Sequence, residues 1–172
     1  IVQHMPPRFT GSFAQRLNGL CSFEVLEAED GMEFLPGRAI LAQGASQMEV
    51  ERRGGHLRCR LSEGVPVSGH APSVDVLFSS VARLSNTQTI GVILTGMGHD
   101  GGQGLLEMRR AGAFTLGQDR QSSLVYGMPR VAAELGAVIQ QVSLDGMADA
   151  ILGAGEKQMN PEVQIRDLVT QL

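Results

Sequence analysis

The sequence predicts an α/β fold: a doubly wound, mostly parallel sheet flanked by helices, with an antiparallel β-hairpin inserted. Strand-like apolar runs alternate with amphipathic helical segments from residue 89 to residue 152. Gly54-Gly55 separates two strand-like stretches, the mark of a tight hairpin because both positions tolerate positive φ. Residues 89–95 are apolar and β-branched, as in a parallel strand covered on both faces. With 172 residues and 42% apolar content, the chain suffices for one such globular domain and is thin for two.

Taken in order, residues 1–3 read as the end of a strand, stopped by Met5-Pro6-Pro7. Phe9, Phe13, Leu17 and Leu20 then share one face of a helix, with Thr10 and Ser12 as candidate N-caps. Residues 22–28 and 38–42 read as strands, with turns at Asp30-Gly31 and Pro36-Gly37. The hairpin strands are 47–53 and 56–61. Ser73 caps a helix that carries Val74, Leu77, Phe78, Val81 and Leu84. After the strand at 89–95 comes a glycine-rich loop, 96–102. Helix 105–111, strand 113–117, helix 129–135, strand 137–141 and helix 145–152 complete the alternation. Residues 1–152 thus form the domain. Residues 153–172 are expected to be a polar tail, with a short helix from Glu162 onward.

The net charge of −4 comes without a basic stripe, so no nucleic acid is expected as a partner. No run approaches the roughly 18 apolar residues of a membrane span. The start carries neither the basic nor the apolar region of a signal peptide. Cys21 and Cys59 have no metal-binding or redox spacing and are expected to be reduced thiols of a cytoplasmic protein. Ile1 enters an apolar strand partway and no initiator Met precedes it, as if residues upstream were missing.

In open parallel sheets, ligands meet the loops at the carboxyl ends of strands. His4 follows one strand and Asp100 lies in the loop after another, 95–102. A histidine and a carboxylate so placed suit a nucleophilic hydrolase: a base titrating near neutrality and an acid that fixes its tautomer. The glycines of the loop let a backbone N–H face a developing oxyanion. The same residues equally suit plain structural roles, His4 as a surface residue and Asp100 as a turn former or helix cap. His56 and His70 show no acidic partner at an informative spacing and read as structural. His99 beside Asp100 lacks the further ligands of a metal site. Gly96-Met97-Gly98-His99-Asp100-Gly101 also fits the dinucleotide pattern G-x-G-x-x-G, with Asp119 where a ribose-binding acid would stand. Against that, Asp100 sits where a pyrophosphate would approach the helix N-terminus.

Several stretches resemble the chemotaxis protein-glutamate methylesterases, the CheB family. They are Ile1-Val2-Gln3-His4-Met5-Pro6 with Phe9-Thr10 and Ser12-Phe13-Ala14; Glu27-Ala28-Glu29-Asp30-Gly31; Leu35-Pro36-Gly37; Pro72-Ser73-Val74-Asp75-Val76-Leu77-Phe78; Gly91 through Gly98 and on to Asp100-Gly101; and Tyr126-Gly127-Met128-Pro129. The resemblance holds in order and spacing to about residue 152. It implies a Ser-His-Asp triad that hydrolyses glutamate methyl esters on chemotaxis receptors, releasing methanol, with glutamine deamidation in some members. It makes His4 the general base, Asp100 its orienting carboxylate and the Met97 N–H an oxyanion donor, with no cofactor. It implies methyl-accepting receptors as partners and an N-terminal receiver domain phosphorylated by a histidine kinase. The family carries its serine in a strand–turn–helix segment upstream of the histidine strand, so residues 1–172 by themselves are expected to be inactive. Ser46 is rejected as the nucleophile because residues 47–51 continue as a strand, not a helix. The alternatives are a receptor-binding module of the same fold without catalysis, and the dinucleotide-binding domain.

Overall fold

A proline pair starts the first helix. In the computed structural model, which describes residues 1–84 and 88–159, α1 (Pro7–Asn18) follows an extended Pro6. Proline at the first helical position costs nothing there, because that N–H has no intrahelical acceptor. Thr10 and Ser12, the expected caps, therefore lie inside the helix. The buried face is Thr10 and Ala14, whereas Phe9 and Leu20 of the expected apolar face are 43% and 73% exposed. Phe13 and Leu17 of that face are half-buried. Gly11 lies beside β1, where a Cβ would stand 2.9 Å from the Glu27 carboxylate. The Thr10 hydroxyl donates towards Glu27 Oε1 (2.5 Å) and the Pro7 carbonyl (3.1 Å), and accepts the Gly44 N–H at 3.3 Å. A buried hydroxyl so satisfied carries little penalty.

The chain divides into two compact units, Ile1–Leu84 and Ser85–Leu172. In the first, β1 (Glu24–Glu27) pairs in parallel with β2 (Arg38–Leu41), Val25 opposite Ala39. Residues 1–3 form no strand of their own. Ile1 alone joins β2, its nitrogen donating to Ile40 O (2.6 Å) and its carbonyl accepting Ala42 N–H (2.8 Å). Beyond Met5 the two prolines have no N–H with which to continue a ladder.

The hairpin forms as expected. β3 (Ser46–Arg53) runs antiparallel to β4 (His56–Glu63), with Arg53 opposite His56 and the turn at Gly54 (φ 62°) and Gly55 (φ 84°). Glu49 faces Arg60 and Glu51 faces Arg58, opposite charges that favour this register. On the other face Met48 and Cys59 join a core of Ala28, Ile40 and Ala42. α2 (Val74–Ala82) begins at the expected cap, with Ser73 Oγ accepting the Val76 N–H at 3.5 Å. Ser80 Oγ accepts the Val50 N–H at 2.8 Å and ties α2 to β3.

Burial pushes the Cys59 thiol up to about 11, with the charge of Asp30 adding to the effect. The thiolate is the reactive form. A thiol reagent at neutral pH is therefore expected to modify the half-buried Cys21 in the folded protein and to reach Cys59 only on unfolding. Mass-spectrometric counting of labels with and without denaturant tests this.

The second unit contains β5 (Ile90–Ile93), β6 (Phe114–Gln118) and β7 (Gln140–Val142), parallel and in that order. α3 (Gly102–Arg110) and α4 (Met128–Glu134) make the crossovers, and α5 (Met147–Met159) follows. Ile93, Leu105 and Leu116 are its largest fully buried apolar side chains. β5 is shorter than the expected 89–95, because the Thr95 N–H turns to the Gln118 side chain at 2.7 Å instead of a ladder. Gly91 and Ile93 are buried, but Ile90 and Val92 only half so, in place of the expected cover on both faces. α5 carries on through residues 153–159, where a polar tail was expected, because Ala154 extends the buried stripe begun by Met147. The helix expected from Glu162 lies outside the described residues. No helix among the described residues is long and apolar enough to cross a membrane.

Candidate active-site elements

Each unit carries one part of the predicted machinery. In the first, His4 is half-buried in the short segment between Ile1 and α1. Its imidazole lies flat against that of His70, with ring centroids 3.6 Å apart and planes 6° from parallel. His70 closes a two-residue turn through Ser68 (φ 53°) and Gly69 (φ 81°). Val67 and His70 exchange backbone hydrogen bonds of 3.0 and 2.9 Å across it. Gln47, 4% exposed, anchors this loop from β3. Its amide donates to the His70 carbonyl (3.0 Å), and its oxygen accepts the Ser73 N–H (2.8 Å). The sequence assigned His70 no role beyond structure. Nothing in local spacing signals that positions 4 and 70 meet.

His56 does have an acidic partner, contrary to expectation. Its Nδ1 lies 2.7 Å from Glu33 Oε1, because an isolated bridge pairs Glu33 with Arg58 beside β4. Ser46 opens β3 after Ala45 (φ 64°), so strand follows it and not the helix a nucleophile elbow requires.

In the second unit, Asp100 is 1% exposed and Gly101 (φ 89°) is the N-cap of α3, so Asp100 is not the helix cap. Two positions upstream, Gly98 takes φ 99°, a left-handed conformation that disfavours any side chain. The Met97 side chain is 83% exposed, and among the described residues its N–H meets no acceptor.

Residues 95–98 are held from two directions. Thr95 Oγ1 donates to the Val125 carbonyl (3.1 Å) and accepts its N–H (2.9 Å). The Gly96 N–H donates to Val125 O, and the Gly96 carbonyl accepts the N–H groups of Gly127 and Met128. Gln118, fully buried, accepts the Thr95 N–H and donates to the Ser122 carbonyl at 2.8 Å. Thr95, Gln118 and Gly127 thus shape the loop; Thr95 and Gly127 fall in stretches that carry the resemblance without having been given this role, and Gln118 was not singled out. A polar residue ending an apolar strand was the available signal for Gln118.

Asp119 is drawn into its own turn. Its carboxylate accepts the Ser122 N–H and hydroxyl, each at 2.8 Å, which hold it below the usual carboxylate range. A ribose-binding acid would instead have its oxygens open to a ligand. No metal-binding cluster of His, Cys, Asp or Glu occurs among the described residues.

The family model described as CheB methylesterase matches residues 1–151. The chain belongs to the CheB methylesterase family. It is 59% identical over 153 residues to protein-glutamate methylesterase/protein-glutamine glutaminase 1 of Caulobacter vibrioides, covering 88% of this chain and 44% of that protein. To protein-glutamate methylesterase/protein-glutamine glutaminase 2 of Hahella chejuensis it is 52% identical over 155 residues, covering 90% of this chain and 42% of that one. The chain therefore spans less than half the length of these curated relatives. The crystal structure of the Thermotoga maritima CheB methylesterase catalytic domain superposes with a TM-score of 0.85 at 32% identity, over 88% of this chain and 80% of that one. The α/β fold with parallel strands and an antiparallel hairpin is thus that of a CheB catalytic domain. The family signatures around His4 and Asp100 fall on the loops described above.

Proposed function

We propose that the full-length protein containing these residues hydrolyses glutamate methyl esters on methyl-accepting chemotaxis receptors and deamidates receptor glutamines, in the cytoplasm. The family match over residues 1–151 carries this reading, since it spans the stretches bearing His4, Met97 and Asp100. His4 is the general base and Asp100 the carboxylate that orients its imidazole. The Met97 N–H stabilises the oxyanion, and the nucleophilic serine comes from outside residues 1–172. A receiver domain, phosphorylated by a histidine kinase, regulates access in the parent protein.

In the reaction, His4 takes the serine proton as the serine oxygen bonds to the ester carbonyl carbon. The negative charge moves to the carbonyl oxygen, where an N–H donor lowers the barrier. Collapse breaks the bond to the methoxy group, which leaves as methanol with the proton from His4. Water, deprotonated by the same imidazole, then cleaves the acyl-enzyme to glutamate and frees the serine. With glutamine the leaving group is ammonia.

Methanol release from methylated receptor by the full-length protein tests the reading. His4→Ala is expected to lower kcat by about 10⁴-fold or more. Undiminished turnover in that variant, or receptor binding without methanol release by the wild type, would overturn the proposal. The second outcome is what a non-catalytic receptor-binding module would give.

A further inference from the structure

We infer that His70 is a positioning residue for the general base: its ring face sets the orientation of the His4 imidazole. The inference rests on the proposed role of His4 and adds a residue to it. A histidine side chain has two rotatable bonds, and a base that delivers a proton along a fixed line must lose that freedom before reaction. In the structure one whole face of the His4 ring is covered by another flat ring, 3.6 Å away and within 6° of parallel. That contact still allows the ring to slide, but it removes tilt.

The platform is itself built. The Ser68-Gly69 turn is closed by two backbone hydrogen bonds between Val67 and His70. The Ser68 hydroxyl donates to Asp75 on α2 at 3.2 Å. Buried Gln47 grips the loop on both sides of His70, donating to the carbonyls of Val65 (3.5 Å) and His70 (3.0 Å) and accepting the Ser73 N–H. The loop carrying the second imidazole is thus fastened to β3 and to α2. A histidine with only a packing role in an exposed loop would need none of this.

The chemistry required of His70 is a flat aromatic face, not a titrating nitrogen, and this makes the role separable. In the full-length protein, His70→Ala is expected to lower kcat about 10- to 100-fold, the scale of a misplaced catalytic group. KM should change less than about twofold and the melting temperature little, since the backbone bonds that close the turn remain. His70→Phe restores a flat face and is expected to bring kcat back to within about threefold of wild type. His70→Leu, of similar bulk but not flat, should stay near the Ala value. In NMR spectra the His4 ring protons, shifted upfield by the stacked ring, should move downfield in His70→Ala and back in His70→Phe.

Unchanged kcat in His70→Ala would overturn the inference. So would a Phe variant as slow as the Ala variant, or a Leu variant as fast as the Phe variant. His4→Ala in the same assay keeps the two readings apart. If it is dead while His70→Ala is fully active, only the positioning role falls; if it is fully active, the proposed base falls.

Discussion

Asp100→Asn in the full-length protein is expected to reduce methanol release by up to about 10⁴-fold, by analogy with other triads. The amide matches the carboxylate in size, so packing around this buried position should survive and the loss should be catalytic. In the proposed triad the imidazole that takes the serine proton becomes a cation, and the Asp100 carboxylate would stabilise that cation and hold the reactive tautomer. Asparagine does neither. Because the carboxylate does not touch the ester, KM should change little and the loss should appear in kcat. A dinucleotide site predicts the opposite kind of effect. If residues 96–101 cradled a pyrophosphate, removing the charge of Asp100 would relieve repulsion at the start of α3 and tighten NAD binding. Methanol release and NAD affinity measured on the same variant separate the two. Unchanged turnover with improved NAD binding would favour the dinucleotide reading.

What the sequence made legible follows the range of the physics behind each feature. The hairpin was readable because its determinants are local: Gly54-Gly55 permits the turn, and the alternating charges of Glu49, Glu51, Arg58 and Arg60 suit the register. The Ser73 cap and the β5–α3–β6–α4–β7 alternation were readable for the same reason. Helix α1 was found but its buried face was read only in part. Hydrophobic periodicity assumes that the largest apolar residues face inward, whereas here Thr10 and Ala14 are the buried positions, with Thr10 held by Glu27 and Gly44, and Phe13 and Leu17 are half-buried. Those partners are supplied by tertiary structure. The C-terminal boundary of α5 was missed because residues 153–172 read as a polar tail, although Ala154 is buried and continues the helix.

Among the candidate site residues, His4 and Asp100 were singled out because each couples a distinctive side chain to a strand end. Supporting groups have no such local signature. His70 meets His4 across 66 positions of sequence. Gln118 serves Thr95 and Ser122 through a side chain whose burial only the fold reveals. Gly127 falls in the stretch Tyr126-Gly127-Met128-Pro129 that carries the resemblance, but the reason for glycine there lies in an atom it does not have.

Gly127→Ala tests that last point, and a large effect is expected. The backbone of Gly127 (φ −104°, ψ −74°) is not left-handed, so alanine brings no strain of the kind that glycine alone relieves. The obstacle is space. A Cβ there would stand 2.6 Å from the Gly96 carbonyl oxygen, 3.1 Å from the Gly98 nitrogen and 3.2 Å from Met97 Cα. All three are backbone atoms of the loop bearing the proposed oxyanion donor, so no side-chain rotation relieves the clash. The loop must move away, and the hydrogen bonds from the Gly127 and Met128 N–H groups to the Gly96 carbonyl must stretch. Overpacking of this kind costs about 1–3 kcal/mol of stability. Displacing an oxyanion donor costs about 10²- to 10³-fold in kcat. Gly153→Ala in α5 is the matched control, because nothing lies within 4 Å of a Cβ at that position. Alanine is favoured over glycine inside a helix, so that variant should gain about 0.5–1 kcal/mol and keep wild-type turnover. Thermal melts and methanol release for both variants decide the matter. Wild-type kcat in Gly127→Ala would show that the exact position of residues 96–98 does not govern the reaction, and would remove the Met97 N–H from the proposed mechanism.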